Sequence, residues 1–264
     1  MTGVAWRSGS CADPRTIGDD GVVEFVGIDL AWGQRGRTGL AALDDSGALI
    51  DTASVRTDAE IDAWLGGREL AAIGVDAPLV VPNETGMRSG EAEVTSAFGR
   101  YGAGCHATNR GRPWFDPPRG EVLARRHAWP TDPRRPEGVV CLEVYPHAAL
   151  VGLFALPYRL AYKRGRGRGI DDRRAEFRRL IELLEGVARL GLTTSPIWSR
   201  LRSAVDEAVR PVELDRIEDE VDAVICADLA WRWRNEPGTL RIHGDPAAGY
   251  LIAPPRPTHP ARRQ

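Results

Sequence analysis

Five acidic residues stand where an acid is least expected. Asp29 closes the apolar run Glu24–Ala31, Asp76 closes Leu70–Asp76, and Glu143 lies within Val139–Tyr145. Asp219 and Asp222 sit one helical turn apart in a stretch that carries apolar residues at helical spacing. A carboxylate among core-facing residues is costly unless a cation meets it. Several that converge cannot all stay ionised alone. Hard oxygen donors of this kind bind Mg²⁺ or Mn²⁺. Two such ions about 3.5–4 Å apart clamp the attacking water and the leaving oxygen of a phosphodiester. In that reading Asp29 bridges two ions, Asp76, Asp219 and Asp222 complete the ligand set, and Glu143 is a ligand or general base. The pattern requires no imidazole or thiol. The histidines at 106, 127, 147, 243 and 259 show no ligand spacing, so a zinc site is not expected.

These acids need elements to bring them together. Glu24–Ala31, Thr38–Asp44 and Ala48–Arg56 read as three strands joined by hairpin-length links, with a turn at Asp44–Gly47. A capped helix, Ala59–Leu65, leads to a fourth strand, Leu70–Asp76, and Val139–Tyr145 is a fifth. An antiparallel meander of three strands, with the fourth and fifth parallel to the first, gives an α/β fold: a mixed five-stranded sheet with helices on both faces. Parallel strands present their C-terminal ends at one edge, where open α/β sheets place their sites. Asp29, Asp76 and Glu143 are expected there. Helices are expected at Arg173–Leu190 and Ile197–Val209. The late acidic helix follows, with Ile217, Val221, Val224, Ile225 and Leu229 on one arc and Asp222 on its flank. Residues 1–21 read as a flexible tail and 22–244 as one domain with an insertion at about 80–137, including a helix at Ser89–Phe98. Residues 245–264 read as a mostly extended tail, in which Gly249–Ala253 adds an edge strand.

The chain of 264 residues is 42% hydrophobic and 27% charged, ordinary for a soluble globular protein, and its net charge of −2 argues against coating nucleic acid non-specifically. No apolar run is long enough to cross a bilayer, and no signal-peptide core opens the chain. Cys11, Cys105, Cys141 and Cys226 are scattered, as expected of reduced thiols in a cytoplasmic protein. The Lys163–Arg168 loop suits phosphate contact, since its glycines let backbone N–H groups approach an anion. Lys163 and Arg164 are therefore candidate substrate contacts, with Arg88 and Arg110 from the insertion. Trp32 and Trp114 stand near loops and are placed to stack a base.

Each acid also has a plainer reading. Asp222 suits a buried salt bridge to an arginine, Asp76 a turn, Glu143 an ion pair beneath the insertion, and Asp219 an ordinary exposed helix position. Asp228, also within the apolar arc, is expected to form a salt bridge.

Gly27-Ile28-Asp29-Leu30-Ala31-Trp32, Val75-Asp76-Ala77-Pro78-Leu79, Glu143-Val144-Tyr145-Pro146, Tyr162-Lys163-Arg164 and Asp219-x-x-Asp222-Ala223 occur in this order. Together, over about residues 24–235, they resemble the domain-of-unknown-function family 429, described as predicted nucleases of ribonuclease H-like fold. The Asp-x-x-Asp-Ala helix is also similar to that of Holliday-junction resolvases of the same fold, where both helix acids bind metal. The resemblance implies a metal-dependent nuclease acting on nucleic acid or a nucleotide. Two rivals stand beside it. One is an ATP-using phosphotransferase of the actin and sugar-kinase group, with the Gly27–Gly39 hairpin as a phosphate loop. The other is a non-catalytic binding protein that uses the insertion as its surface.

Overall fold

The computed structural model describes residues 23–33 and 36–262. The N-terminal stretch expected to be a tail lies outside them. Strands β1 (Val23–Asp29), β2 (Thr38–Leu43), β3 (Leu49–Val55), β4 (Glu69–Val75) and β5 (Val140–Glu143) form one sheet in the order β3-β2-β1-β4-β5. The pairs β1–β2 and β2–β3 are antiparallel, whereas β1–β4 and β4–β5 are parallel. The protein is thus a mixed α/β fold on a five-stranded mixed sheet.

Alternation along the strands divides the core into two faces. Val26, Ile28, Leu40, Ala42, Ile73, Val75 and Cys141 form one buried cluster. Ile61 and Leu65 of helix α1 (Asp58–Leu65) join it, as do Leu123 and Ala124 of α3 (Arg119–Arg126). Between these two helices in the chain lies α2 (Ser89–Phe98). The opposite face carries Phe25, Ala41, Leu43, Ala72, Val140 and Leu142 and is covered by the long helix α7 (Pro211–Asn235). Helices α4 (Pro146–Leu153), α5 (Ile170–Glu185) and α6 (Pro196–Glu207) enclose α7 from outside, so every residue from Glu220 to Ala230 is buried. Asp228, on this buried stretch, forms ion pairs with Arg189 and Arg232, as its place in the apolar arc led us to expect.

Three glycines set how deeply α7 sits. A Cβ at Gly27 would stand 1.9 Å from the Ala223 carbonyl oxygen, one at Gly39 1.8 Å from that of Asp219, and one at Gly74 2.3 Å from that of Cys226. Gly27 and Gly74 are neighbours across β1–β4, and Gly39 is the partner of Asp29 across β1–β2. The helix backbone therefore rests on bare strand backbone along a diagonal that ends beside Asp29.

Two expectations change. Gly249–Ala253 is no edge strand of the main sheet. It pairs antiparallel with Arg241–Asp245 as a separate hairpin, β6–β7, joined to the end of β5 only by a bridge between Val144 and Ile252. The hairpin needs a left-handed residue at its turn, and Gly249 supplies one at φ 92°. It packs on α2, where Gly90 lies so close that a Cβ would meet the His243 carbonyl oxygen at 2.8 Å. Ordered, paired structure therefore crosses the boundary expected at residue 244. The insertion also holds a helix that sequence periodicity did not reveal, α3, whose short amphipathic face is masked by surrounding Arg, Gly and Pro.

Replacing Gly27 with Ala should lower unfolding stability by about 3 kcal/mol or more, because helix backbone has no side-chain freedom with which to yield. Gly66→Ala, with its nearest neighbour at 3.4 Å, should stay within about 0.5 kcal/mol of wild type in the same urea titration.

Candidate functional site

The sheet supplies the first two acids. Asp29 ends β1, and Asp76 directly follows β4, the parallel neighbour of β1. The Asp76 N–H donates to the Ile28 carbonyl at 2.9 Å, which locks the two strand tips side by side. Both acids alternate in phase with the glycines beneath α7, so both belong to the α7 face. The helix supplies the next two. Because the Asp219 carbonyl rests on Gly39 and the Ala223 carbonyl on Gly27, the turn bearing Asp219 and Asp222 lands at those same tips.

A fifth piece comes from the segment between α4 and α5. Tyr162 is fully buried and donates its hydroxyl to Asp222 Oδ1 at 2.8 Å. Lys163 places its ammonium in an ion pair with Asp222 Oδ2 and stands 3.9 Å from Glu218 Oε1. Asp222 has no solvent exposure, and its Oδ2 accepts no well-directed hydrogen bond; the ammonium balances its charge. Arg173, also buried, fastens this segment, donating to the Tyr162 carbonyl at 3.0 Å and pairing with Asp215 and Glu218 of α7.

The crowding is visible in the carboxyl groups. Burial pushes Asp29 well above the usual aspartate range; Asp222, Asp76 and Asp219 push the same way, and Lys163 opposes them. Burial raises Asp76 to about 7, with Asp222 and Glu143 adding and Lys163 opposing. Asp219 rises to about 6 and Glu218 to about 7, each chiefly through burial and then through Asp222, against Lys163. Burial disfavours the Lys163 ammonium, but Asp222, Asp29 and Asp76 outweigh it and hold the lysine charged well above its ordinary range. Four aspartates and a glutamate thus share one ammonium, with Arg37 reaching Asp219 and Arg173 pairing with Glu218. Among the described residues no group of three or more His, Cys, Asp or Glu side chains is arranged to hold a metal ion.

Glu143 is placed differently. It is level with Val75 across β4–β5, so it shares the α1–α3 side of the pleat and not the side of Asp29 and Asp76. Arg88 grips both its oxygens, at 2.5 and 2.8 Å, and the Leu79 N–H donates to Oε2 at 2.9 Å. Arg88 also donates to Glu91 at 2.9 Å, and Glu91 accepts from the Thr108 N–H at 3.0 Å. Glu143 and Arg88 are thus a buried strut tying the insertion to β5, the plainer of the two readings for Glu143. Arg88 is 3% exposed, and its guanidinium is committed to Glu143 and Glu91. Arg110 lies away from the acids and pairs with Asp116 at 2.9 Å. Arg164 is largely exposed and pairs with Asp215. Lys163 alone of the four proposed basic contacts meets the carboxylates.

Tyr162, Glu218 and Arg173 belong to the site beyond the expected residues. Tyr162 opens the Tyr162-Lys163-Arg164 motif and Glu218 adjoins Asp219, whereas Arg173 looks like any arginine in a helix first turn. His147 is a fourth, nearly buried, its ring 5.8 Å from that of Tyr162; burial, then Lys163, holds it neutral. Beside the acids opens a cleft of about 90 Å³ lined by Asp76, Pro78, Glu143, Tyr145 and Trp32. Trp32 is half exposed, with its ring 5.3 Å edge-on to that of Phe115, which in turn meets the exposed Trp114. Cys105 also lines the cleft; burial raises its thiol, which keeps it protonated and unreactive.

Residues 27–248 match the model of a family described as "Protein of unknown function (DUF429)", and the chain belongs to that family. Searches of curated proteins and of solved structures return no match. Among the described residues no helix is long and apolar enough to cross a membrane.

Two outcomes follow from this geometry. Acids with raised folded-state values bind more protons folded than unfolded, so without divalent ions stability should fall as pH rises from about 4 to about 7 and then level off. Asp76→Asn should flatten that fall and raise the melting temperature at pH 7.5 by about 2 °C or more, the effect of roughly 1 kcal/mol in a chain this size. Arg88→Leu strands Glu143 and Glu91 without their cation and should cost about 3–5 kcal/mol in urea unfolding.

Proposed function

We propose that the protein is a metal-dependent phosphodiesterase of ribonuclease H-like fold, acting on a nucleic acid or nucleotide. The observation that carries this reading is that two strand tips and one helix turn bring Asp76, Asp219 and Asp222 close enough for their charges to act on Asp29. The five-stranded mixed α/β sheet flanked by helices is what supports the fold assignment.

The donor set fits Mg²⁺ or Mn²⁺ by its chemistry. It consists of carboxylate oxygens, more than one ammonium can neutralise. Asp29, Asp76, Asp219 and Asp222 would hold the ions, which when bound activate water and offset charge on a phosphoryl oxygen. Tyr162 orients Asp222 through its hydroxyl on Oδ1, leaving Oδ2 to Lys163. Trp32 offers an exposed ring at the rim on which a base stacks. Glu143 serves as an anchor for the insertion, held by Arg88.

The test is a panel of single-stranded DNA, RNA, branched duplex and mononucleotide substrates with and without Mn²⁺. Cleavage should require the ion. Asp29→Asn and Asp222→Asn should each lose about a hundredfold or more, the scale of removing one preorganised charge partner. No ion-dependent cleavage of any substrate, together with unchanged Mn²⁺ binding in Asp29→Asn, would overturn the reading.

A further inference from the structure

Lys163 is the only lysine in the chain, against 34 arginines among the 35 basic residues. Every other basic position is a planar guanidinium. The one compact, spherical cation stands where the acids converge. The choice has a chemical sense. A guanidinium presents a broad fork of fixed donors, whereas an ammonium is a point charge that several carboxylates can share from different directions, as they share a metal ion. Lys163 is shared in this way: it pairs with Asp222, lies 3.9 Å from Glu218, and its charge is felt by Asp29, Asp76 and Asp219. Its ammonium is the partner of Asp222 Oδ2, the oxygen that Tyr162 does not hold.

The path out is also present. The Lys163 side chain is about a quarter exposed, in contrast to the sealed Asp222. Lys163 begins the Gly-rich stretch 163–169, in which Gly167 has φ 77°, and Arg168 donates to the Lys163 carbonyl at 2.9 Å, so the backbone is held while the side chain has solvent beside it. We propose that Lys163 is a removable counter-ion: its ammonium stands among the acids while no divalent ion is bound, and it yields its place on Asp222 when one arrives. This rests on the metal-dependent reading above, and it adds that ion affinity is set by competition with a residue of the same chain. Displaced, the ammonium remains beside the acids with Asp222 no longer holding it, suited to a substrate phosphate. The lysine would then link ion loading to substrate binding.

Being unique, Lys163 can be read directly. Apart from the chain's N-terminal amine, it is the only site for an amine-acylating reagent, and mass spectrometry distinguishes the two. In wild-type protein, saturating Mn²⁺ should raise the acylation rate of Lys163 about fivefold or more while leaving the N-terminal amine unchanged. Lys163→Gln, which removes the competitor, should bind Mn²⁺ at least about tenfold more tightly by calorimetry, and Mn²⁺ should restore the melting temperature that this variant loses. Lys163→Arg keeps the charge and should not gain affinity. Mn²⁺ binding to wild type with Lys163 reactivity unchanged overturns the counter-ion proposal and leaves the metal-dependent reading standing. No Mn²⁺ binding by either wild type or Lys163→Gln overturns both. If Lys163→Gln fails to fold, the wild-type acylation experiment decides alone.

Discussion

Helix α7 lies against bare backbone, and most of the structure is arranged around that contact. Gly27, Gly39 and Gly74 remove the side chains that would otherwise hold helix and sheet apart. The helix then sinks until its carbonyls face the strands, and its first buried turns come level with the strand tips. The close approach fixes three things together: the depth of the helix, its direction across the sheet, and the position of Asp219 and Asp222 relative to Asp29 and Asp76. A glycine stripe contributes little to stability by itself. Its cost in chain entropy is offset by the apolar surfaces of α4 and α6, which pack on α7.

The electrostatic consequence is a site with more negative than positive charge. Burial and mutual repulsion raise Asp29, Asp76, Asp219 and Glu218; one ammonium opposes all four, with Arg37 acting on Asp219 and Arg173 on Glu218. Elsewhere the protein neutralises its buried acids locally with arginine: Arg88 on Glu143 and Glu91, Arg189 and Arg232 on Asp228, Arg200 on Glu220. The contrast between satisfied acids held by guanidinium and under-compensated acids gathered around the single lysine separates structural carboxylates from those we assign to chemistry. Glu143 falls on the structural side of that line, although it ends a parallel strand next to β4.

Much of the fold was legible because its strands are bounded by strong local signals. The β-branched runs, the Asp44–Gly47 turn and the Thr57 cap, whose side chain accepts from the Glu60 N–H, all act within a few residues. The C-terminal hairpin was not legible. Its two strands are short, and they are stabilised by α2, some 150 residues earlier in the chain, so no local pattern encodes the pairing. Helix α3 was hidden for a similar reason: its apolar face is completed by the sheet and α1, and its own eight residues carry too few turns to show a period.

For the site, sequence determined that acids end apolar runs at Asp29 and Asp76, and that a turn of helix brings Asp219 and Asp222 together, since strand period and helical spacing are local properties of the chain. It also determined that the chain has a single lysine. Tertiary structure decided which acids meet. Pleat phase across β4–β5 carries Glu143 to the opposite side of the sheet, where Arg88 holds it, and the glycine contacts bring α7 down on the side of Asp29 and Asp76. It also decided that Lys163 faces Asp222, which Tyr162 and Arg173 fix from segments remote in the chain. The physical reason is one of range: backbone periodicity acts over a few residues, whereas charge compensation in a buried site acts through space and is settled only when every element is in place.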